Sequence, residues 1–417
     1  MNSPGSTPVR DVDWNSDWLR EPALVRVFDA LNREGVETRV VGGAVRDAIL
    51  GHPRGDVDLA TTAETGVVAE LASKAGLKVV PTGEAHGTMT VISEGRPFEV
   101  TTLRHDVETH GRHATVAFGA DWEDDARRRD FTMNALYADR SGRLYDPVGG
   151  YEDVLAGRVR FIGDAIKRIR EDYLRILRFF RFHAQFGNGP PDAVGLTASI
   201  RERRGLLGLS GERLRQEMLR LLVAPGAVPT VGIMADSGIF GIVTGGVPYV
   251  PSLDRYAAIE AHAEEKPDPI MRLAALAVFV PEDADRLRNR LRLSNAERDR
   301  LASAAGGWWH MRPDLGERSR KTLLYRIGEQ AYRDRAMLAF IRSGADADDP
   351  GWRELVGLAT EWEPPVFPLK GADLVALGVP GGPEIGRILE QLEADWMAEG
   401  FAPDRHTLLA RARRLIR

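Results

Sequence analysis

Apolar positions change their spacing along this chain, and the changes mark its elements. Leu24, Val27, Phe28 and Leu31 recur at helical spacing within residues 19–35, which predicts an amphipathic helix. The period then shortens. Thr38-Arg39-Val40-Val41 reads as a strand broken by Gly42-Gly43, and 44–50 reads as a short helix ending in a turn over 51–55. Asp56-Val57-Asp58-Leu59 alternates as a strand does, and a helix is expected over 64–75. Val79-Val80, Thr88 to Ile92 and Phe98 to Thr102 read as further strands. The first 150 residues therefore predict a small mixed α/β domain. After Gly149-Gly150 the pattern turns helical, with a long helix expected over 164–187 and another over 211–223. Beyond 225 it stays helical, punctuated by Pro and Gly. The glycine-rich stretch 369–392 ends in an amphipathic helix. No internal repeat or low-complexity segment interrupts it.

Composition adds limits. The 417 residues suffice for about two to four domains. The longest apolar run, Leu273 to Val280, is too short to cross a bilayer, and the polar N-terminal stretch lacks the apolar core of a secretory signal. No membrane partner is expected. The chain has no cysteine, which excludes disulfides and thiolate metal sites and fits a cytoplasmic setting. Net charge is −5, yet residues 158–220 hold 14 Arg or Lys against 7 Asp or Glu, leaving −12 for the rest. A basic middle in an acidic chain is what a local phosphate track would look like. Solvated arginine-rich helices would look the same.

Three clusters carry candidate chemistry. In the first, Gly42-Gly43 precedes a helix bearing Arg46, and Asp56 and Asp58 follow one residue apart, with Glu99 on a later strand. Residues i and i+2 of a strand share a face. Paired carboxylates of this kind suit Mg²⁺, which takes hard oxygen ligands and shares its remaining sites with phosphates. Two such ions could activate a hydroxyl and hold a triphosphate. The glycine pair lets the backbone approach phosphate closely. An isolated Asp-x-Asp is more often a pair of solvent-facing strand residues; the upstream glycines and the third acid favour the metal reading.

The second cluster is Arg128-Arg129-Asp130-Phe131, where Arg129 could bind phosphate as a planar fork and Asp130 could accept from a ribose hydroxyl. A surface ion-pair cluster is the plainer reading. The third runs from Arg170 to Arg181. On one helix, Asp172 and Arg175 would share a face, with Arg178 and Arg181 extending the ridge. The plain reading is one intrahelical ion pair. The functional one is base selection. Cytosine and adenine both present an exocyclic amine beside a ring acceptor, whereas uracil and guanine reverse that polarity. One Asp and one Arg can accept the first two bases and leave the others unpaired.

These residues together resemble the class II CCA-adding tRNA nucleotidyltransferases and the related bacterial poly(A) polymerases. The matching text is VVGGAVRDAILG, GDVDLATTA, HGTMTV, FEVTTLR, RRRDFTMNAL, YDPVGGYEDV, VRFIGD, RIREDYLRILRFFRF and GERLRQEML, in order across about residues 20–225. FPLKGADLVALGVPGGPEIGRIL resembles the family's C-terminal region.

The resemblance implies a seahorse-like molecule: a nucleotidyltransferase α/β head (20–150), then an all-α neck (151–225), body (226–335) and tail (336–417), the tail contacting tRNA. It implies Asp56, Asp58 and Glu99 as metal ligands, and Gly42, Gly43 and Arg46 as nucleotide-contacting positions. It further implies Arg129 and Asp130 at triphosphate and ribose, Asp172 and Arg175 as the amino-acid template, and Arg178 and Arg181 as its phosphate-contacting neighbours. Glu212 to Glu217 would support the neck.

The implied activity is addition of CMP, CMP and AMP, from CTP and ATP, to the 3′ end of tRNA. Poly(A) synthesis, or addition of only CC or only A, is the alternative. A catalytically silent tRNA-binding protein is disfavoured by the intact acids. Residues 106–115 resemble the family's flexible loop. His105, His110 and His113 are not expected to form a metal site, and Trp308 and Trp309 are expected to be core or rim packing.

Overall fold

The computed structural model describes residues 12, 14–83, 87–110, 113–119 and 121–416, with backbone alone over 105–110 and 113–118. The chain divides into two compact units, Met1–Val247 and Pro248–Arg417.

In the first unit, α1 (Pro22–Leu31) buries the predicted stripe of Leu24, Val27, Phe28 and Leu31. There follow β1 (Thr38–Val41), α2 (Gly43–Ile49), β2 (Asp58–Thr61), α3 (Thr65–Lys74), β3 (Lys78–Gly83), β4 (Thr88–Ser93) and β5 (Arg96–Thr102). After β6 (Arg104–His110), β7 (His113–Phe118) and α4 (Trp122–Arg128) come two short strands, β8 (Tyr137–Ala138) and β9 (Leu144–Tyr145). Seven strands form one mixed sheet in the order β3-β4-β5-β2-β1-β8-β9. Only β2 and β5 pair in parallel among these strands. Central β2 is the strand that opens on Asp58. β1, flanked by β2 and β8, is buried along its whole length.

Residues 106–115, read from sequence as a loop, lie mostly in a separate two-stranded ribbon of β6 and β7, its register running from Arg104↔Phe118 to His110↔His113. The side chains of His105, His110 and His113 lie outside the described residues.

The helical part of this unit comprises α5 (Tyr151–Leu155), α6 (Ala165–Glu171), α7 (Leu174–Phe186), α8 (Ala193–Glu202), α9 (Gly211–Leu222), α10 (Ala227–Asp236) and α11 (Ile239–Thr244). The helix expected over 164–187 is two helices, broken at Asp172-Tyr173, where Asp172 has extended backbone (φ −154°, ψ 107°). Phe131, Phe161, Phe179 and Phe182 pack together where α7 meets the sheet domain, with ring centroids 4.9–6.4 Å apart.

The second unit is helical among its described residues, from α12 (Val250–His262) to α21 (Arg405–Leu415). Leu374, Ile388, Leu392, Trp396 and Leu408 form one core there. Trp308 packs against a neighbouring core and Trp309 is about half exposed, in line with the rim packing expected of them.

Candidate active site

The site begins where β1 ends. Gly42 carries φ +77°, a conformation that disfavours any side chain. A Cβ there would also meet the Asn134 carbonyl at 3.6 Å and Arg129 Nη1 at 3.7 Å. α2 then places Arg46 inward. Its guanidinium is buried, donates to Asp47 Oδ1 at 2.8 Å and Asn134 Oδ1 at 2.5 Å, and lies 3.9 Å above the Phe186 ring. Burial pushes the Arg46 pKa down, against the attraction of Asp47.

Asp58 is the first residue of β2, and its Cα pairs with Glu99 on β5 and with Val41 on β1. Its surroundings hold the carboxyl up to about 6: desolvation in the cleft contributes most, then the Glu99 charge, with Asp56 adding and Arg129 opposing. The side chain is nevertheless open to water, as Glu99 is. Asp56 lies in the loop before β2, so strand pleating does not set its direction as the sequence pattern suggested. Among the described residues, no three His, Asp or Glu side chains are gathered into a metal-binding cluster. The donor chemistry does fit a hard cation. Asp58 and Glu99 are register partners, and the like charges around Asp58 oppose its ionisation, a cost that a bound cation would offset.

Arg129 follows α4. Asp125 accepts from it at 3.1 Å, and the Tyr137 hydroxyl donates to the same Asp125 oxygen at 2.8 Å. Although burial opposes it, Tyr137 and Asp125 raise the Arg129 pKa, so this cation is fixed in place and permanently charged. Asp130 accepts from the Phe131 N–H, Asn134 Nδ2 and Arg178 Nε, the last at 2.7 Å. Arg178 and Asn134 hold the Asp130 pKa low against its burial. With Arg178 Nη2 also 2.6 Å away, a ribose hydroxyl would have to displace one of these donors.

Asp172 and Arg175 do not pair with each other. Because α6 stops at Glu171, Asp172 turns away and accepts a two-pronged contact from Arg213 of α9, at 3.1 and 2.6 Å. It also caps α7 through the Leu174 N–H at 3.1 Å. A carboxylate offers about four acceptor sites; three are engaged, leaving one. Arg175 donates through Nη1 to Glu171 and to the Arg168 carbonyl, both at 2.6 Å, and its other donors have no hydrogen bond among the described residues. Arg181 pairs with buried Glu217, which ties α7 to α9.

Many arginines of the basic stretch 158–220 are thus engaged in ion pairs, although most of its positive excess remains. Arg158 and Arg160 are paired with Asp153, and Arg170 with Glu202, in addition to the pairs above.

A cavity of about 520 Å³ unites these parts. Gly42, Gly43, Arg46, Asp58, Arg129, Asp130, Asp172, Arg175 and Arg178 all line it; Asp56, Glu99 and Arg181 do not. Asn134, Leu174, Phe182 and Arg213 also line it, and nothing in the sequence marked them as site residues. Asn134 and Arg213 fall inside quoted motif text, but their roles depend on partners 88 and 41 positions away.

Two expected results follow from this geometry. The Arg213–Asp172 pair is mostly shielded from water, with side chains 15% and 17% exposed. Arg213→Ala is expected to cost about 1–3 kcal/mol in chemical denaturation. Arg213→Lys should recover only part, because a single ammonium cannot reproduce the fork. At Gly205, an added Cβ would fall 1.9 Å from the Tyr173 ring. Gly205→Ala should therefore destabilise the α6–α7 corner that carries Asp172, lowering the melting temperature by several degrees.

The Poly A polymerase head domain model matches residues 38–160. A curated mouse relative, CCA tRNA nucleotidyltransferase 1, mitochondrial, is 34% identical over 408 residues, covering 93% of this chain and 89% of the relative. The chain belongs to the CCA tRNA nucleotidyltransferase family. It is a nucleotidyltransferase. A CCA-adding enzyme from Geobacillus thermodenitrificans is 41% identical over 216 residues, 51% of this chain and 52% of that one. The structure of the Bacillus stearothermophilus CCA-adding enzyme in complex with CTP superimposes with a TM-score of 0.75 at 25% identity, covering 95% and 98% of the two chains. The Thermotoga maritima enzyme complexed with tRNA shares the fold, with a TM-score of 0.69 at 20% identity over 97% and 99%. A mixed-sheet head followed by helices is the architecture of this family. Among the described residues, no helix is long and apolar enough to cross a membrane.

Proposed function

We propose that this chain adds CMP, CMP and AMP, from CTP and ATP, to the 3′ end of tRNA, in the cytoplasm. The observation that carries the reading is the single cavity joining Gly42, Asp58 and Arg129 of the sheet domain to Asp172 and Arg175 of the helices. Family membership and the CTP-bound relative support it.

Asp56, Asp58 and Glu99 would hold divalent cations, of which Mg²⁺ suits their hard oxygens. When bound, a pair of such ions supplies activation of the 3′-hydroxyl and neutralisation of the triphosphate. The chain's own residues do the rest. Gly42 and Gly43 keep the floor free of side chains, so phosphate can approach the backbone. Arg129, braced by Asp125 and Tyr137, meets the triphosphate without reorganising. Arg46 and Arg178 add fixed positive charge beside it, and Asp130 holds Arg178 and faces the ribose; Arg181, expected from the sequence to join them, lies outside this cavity.

The remaining acceptor site of Asp172 takes the exocyclic amine of C or A, and Arg175 donates to the adjacent ring nitrogen. Uracil and guanine would set carbonyl against carboxylate and N–H against guanidinium. Division into head (20–150), neck (151–225), body (226–335) and tail (336–417) belongs to the same proposal, the tail engaging tRNA.

The test is transfer of labelled CMP from CTP to a tRNA transcript lacking CCA. Transfer should require a divalent cation and stop on chelation. Transfer that persists in excess chelator would refute the assignment of the three acids.

A further inference from the structure

A second cavity adjoins the nucleotide cleft. It measures about 710 Å³, and Arg46 and Phe182 wall both. Its own lining includes His52, Arg181, Phe186 and Arg220. We infer that this groove seats the single-stranded 3′ end of the RNA acceptor. The inference rests on the nucleotidyl-transfer reading above and names where its second substrate lies.

Charge favours a polyanion. Arg46, Arg181 and Arg220 face the groove against one acid, Asp47, which is already bound by Arg46. Arg181 is held by Glu217, whereas Arg220 is exposed and has no ion pair among the described residues. An exposed guanidinium without an ion pair, beside a groove, is a phosphate contact in waiting.

The aromatic arrangement favours unpaired bases. The His52 ring stacks on Phe186 at 6.1 Å and 24°, and Phe186 stacks on Phe182 at 5.9 Å and 29°. Arg46 and Arg181 lie over these rings at 3.9 and 4.2 Å. The stack ends in exposed His52, so its outer face is open to another flat ring. Cationic grooves with stacked rings bind single strands without regard to sequence, as a strand of changing 3′ composition requires. A duplex keeps its bases stacked on one another and has no use for such a platform.

Position completes the argument. His52 stands four residues before Asp56, so their Cα atoms are within about 14 Å. A strand lying on His52 is therefore close to the loop that carries Asp56, one of the acids that would act on its 3′-hydroxyl.

The experiment uses the full chain and a fluorescent RNA hairpin with a short single-stranded 3′ extension, beside the same hairpin made blunt. His52→Ala and Arg220→Ala, each shown to be folded by circular dichroism, should weaken binding of the extended hairpin roughly tenfold. The blunt hairpin should be little affected. Arg220→Ala should also reduce the salt-dependence slope by about one. In steady state, KM for RNA should rise while KM for CTP at saturating RNA holds. Unchanged affinity in both variants, or equal loss for blunt and extended hairpins, would overturn the assignment. A wild-type protein that adds no nucleotide to RNA would instead refute the functional reading, so the two failures are separable.

Discussion

Replacing Asp58 by asparagine is expected to reduce CMP transfer at least about a thousandfold while leaving thermal stability unchanged or raised. Metal-assisted charge stabilisation supplies several kcal/mol of transition-state energy, and each 1.36 kcal/mol is a factor of ten in rate. The stability half of the prediction comes from the apo electrostatics. Asp58, although open to water, is held up to about 6 by desolvation in the cleft and by the Glu99 and Asp56 charges, so its charge is a burden on the fold. Asparagine keeps the shape and removes that repulsion, as expected where a function has been built at the expense of stability. Single-turnover incorporation and a melting curve in chelator measure the two halves. A lowered melting temperature with activity retained would make Asp58 structural.

Arg175→Ala is expected to lower discrimination of CTP over UTP about 10- to 100-fold, the equivalent of a charged hydrogen bond of about 1.5–3 kcal/mol. The fold should tolerate it, because Glu171 keeps Arg168 as a partner. The corresponding change at Asp172 would strand Arg213 as well, mixing stability with selectivity. Relative kcat/KM for the two nucleotides, with RNA affinity measured separately, checks the point. Unaltered nucleotide choice accompanied by loss of RNA binding would remove Arg175 from base recognition.

Local signals were the ones legible in the sequence. The strand into Gly42-Gly43, helix α2, the strand that carries Asp58 and the Glu99 strand were readable, because turn glycines and apolar alternation act over a few residues, although that strand begins at Asp58 and not at Asp56. The break at Asp172 was not. No Gly or Pro marks it, and the helical period runs through it; the pairing of Asp172 with Arg213, 41 positions later, accompanies the turn. The short strands β8 and β9 were missed because two residues carry no periodicity. Residues 106–115, now mostly in the ribbon of β6 and β7, were read as a loop because their polar run and Gly111 resemble the family's flexible loop.

The same limit applies to the site. Residue types and order pointed to the cavity, but which arginine grips which acid was set by the tertiary fold. Asp125, Asn134 and Arg213 hold site residues without themselves suggesting chemistry in the sequence.

The family's head-domain match carries the name of a poly(A) polymerase, whereas curated relatives are named as CCA-adding enzymes. Product length separates the two most directly. Purified protein incubated with tRNA lacking its CCA end, CTP and ATP should yield one product longer by three nucleotides, ending C, C, A, and CTP alone should stop at two. A long A tract, made equally well on unrelated RNA, would contradict the account.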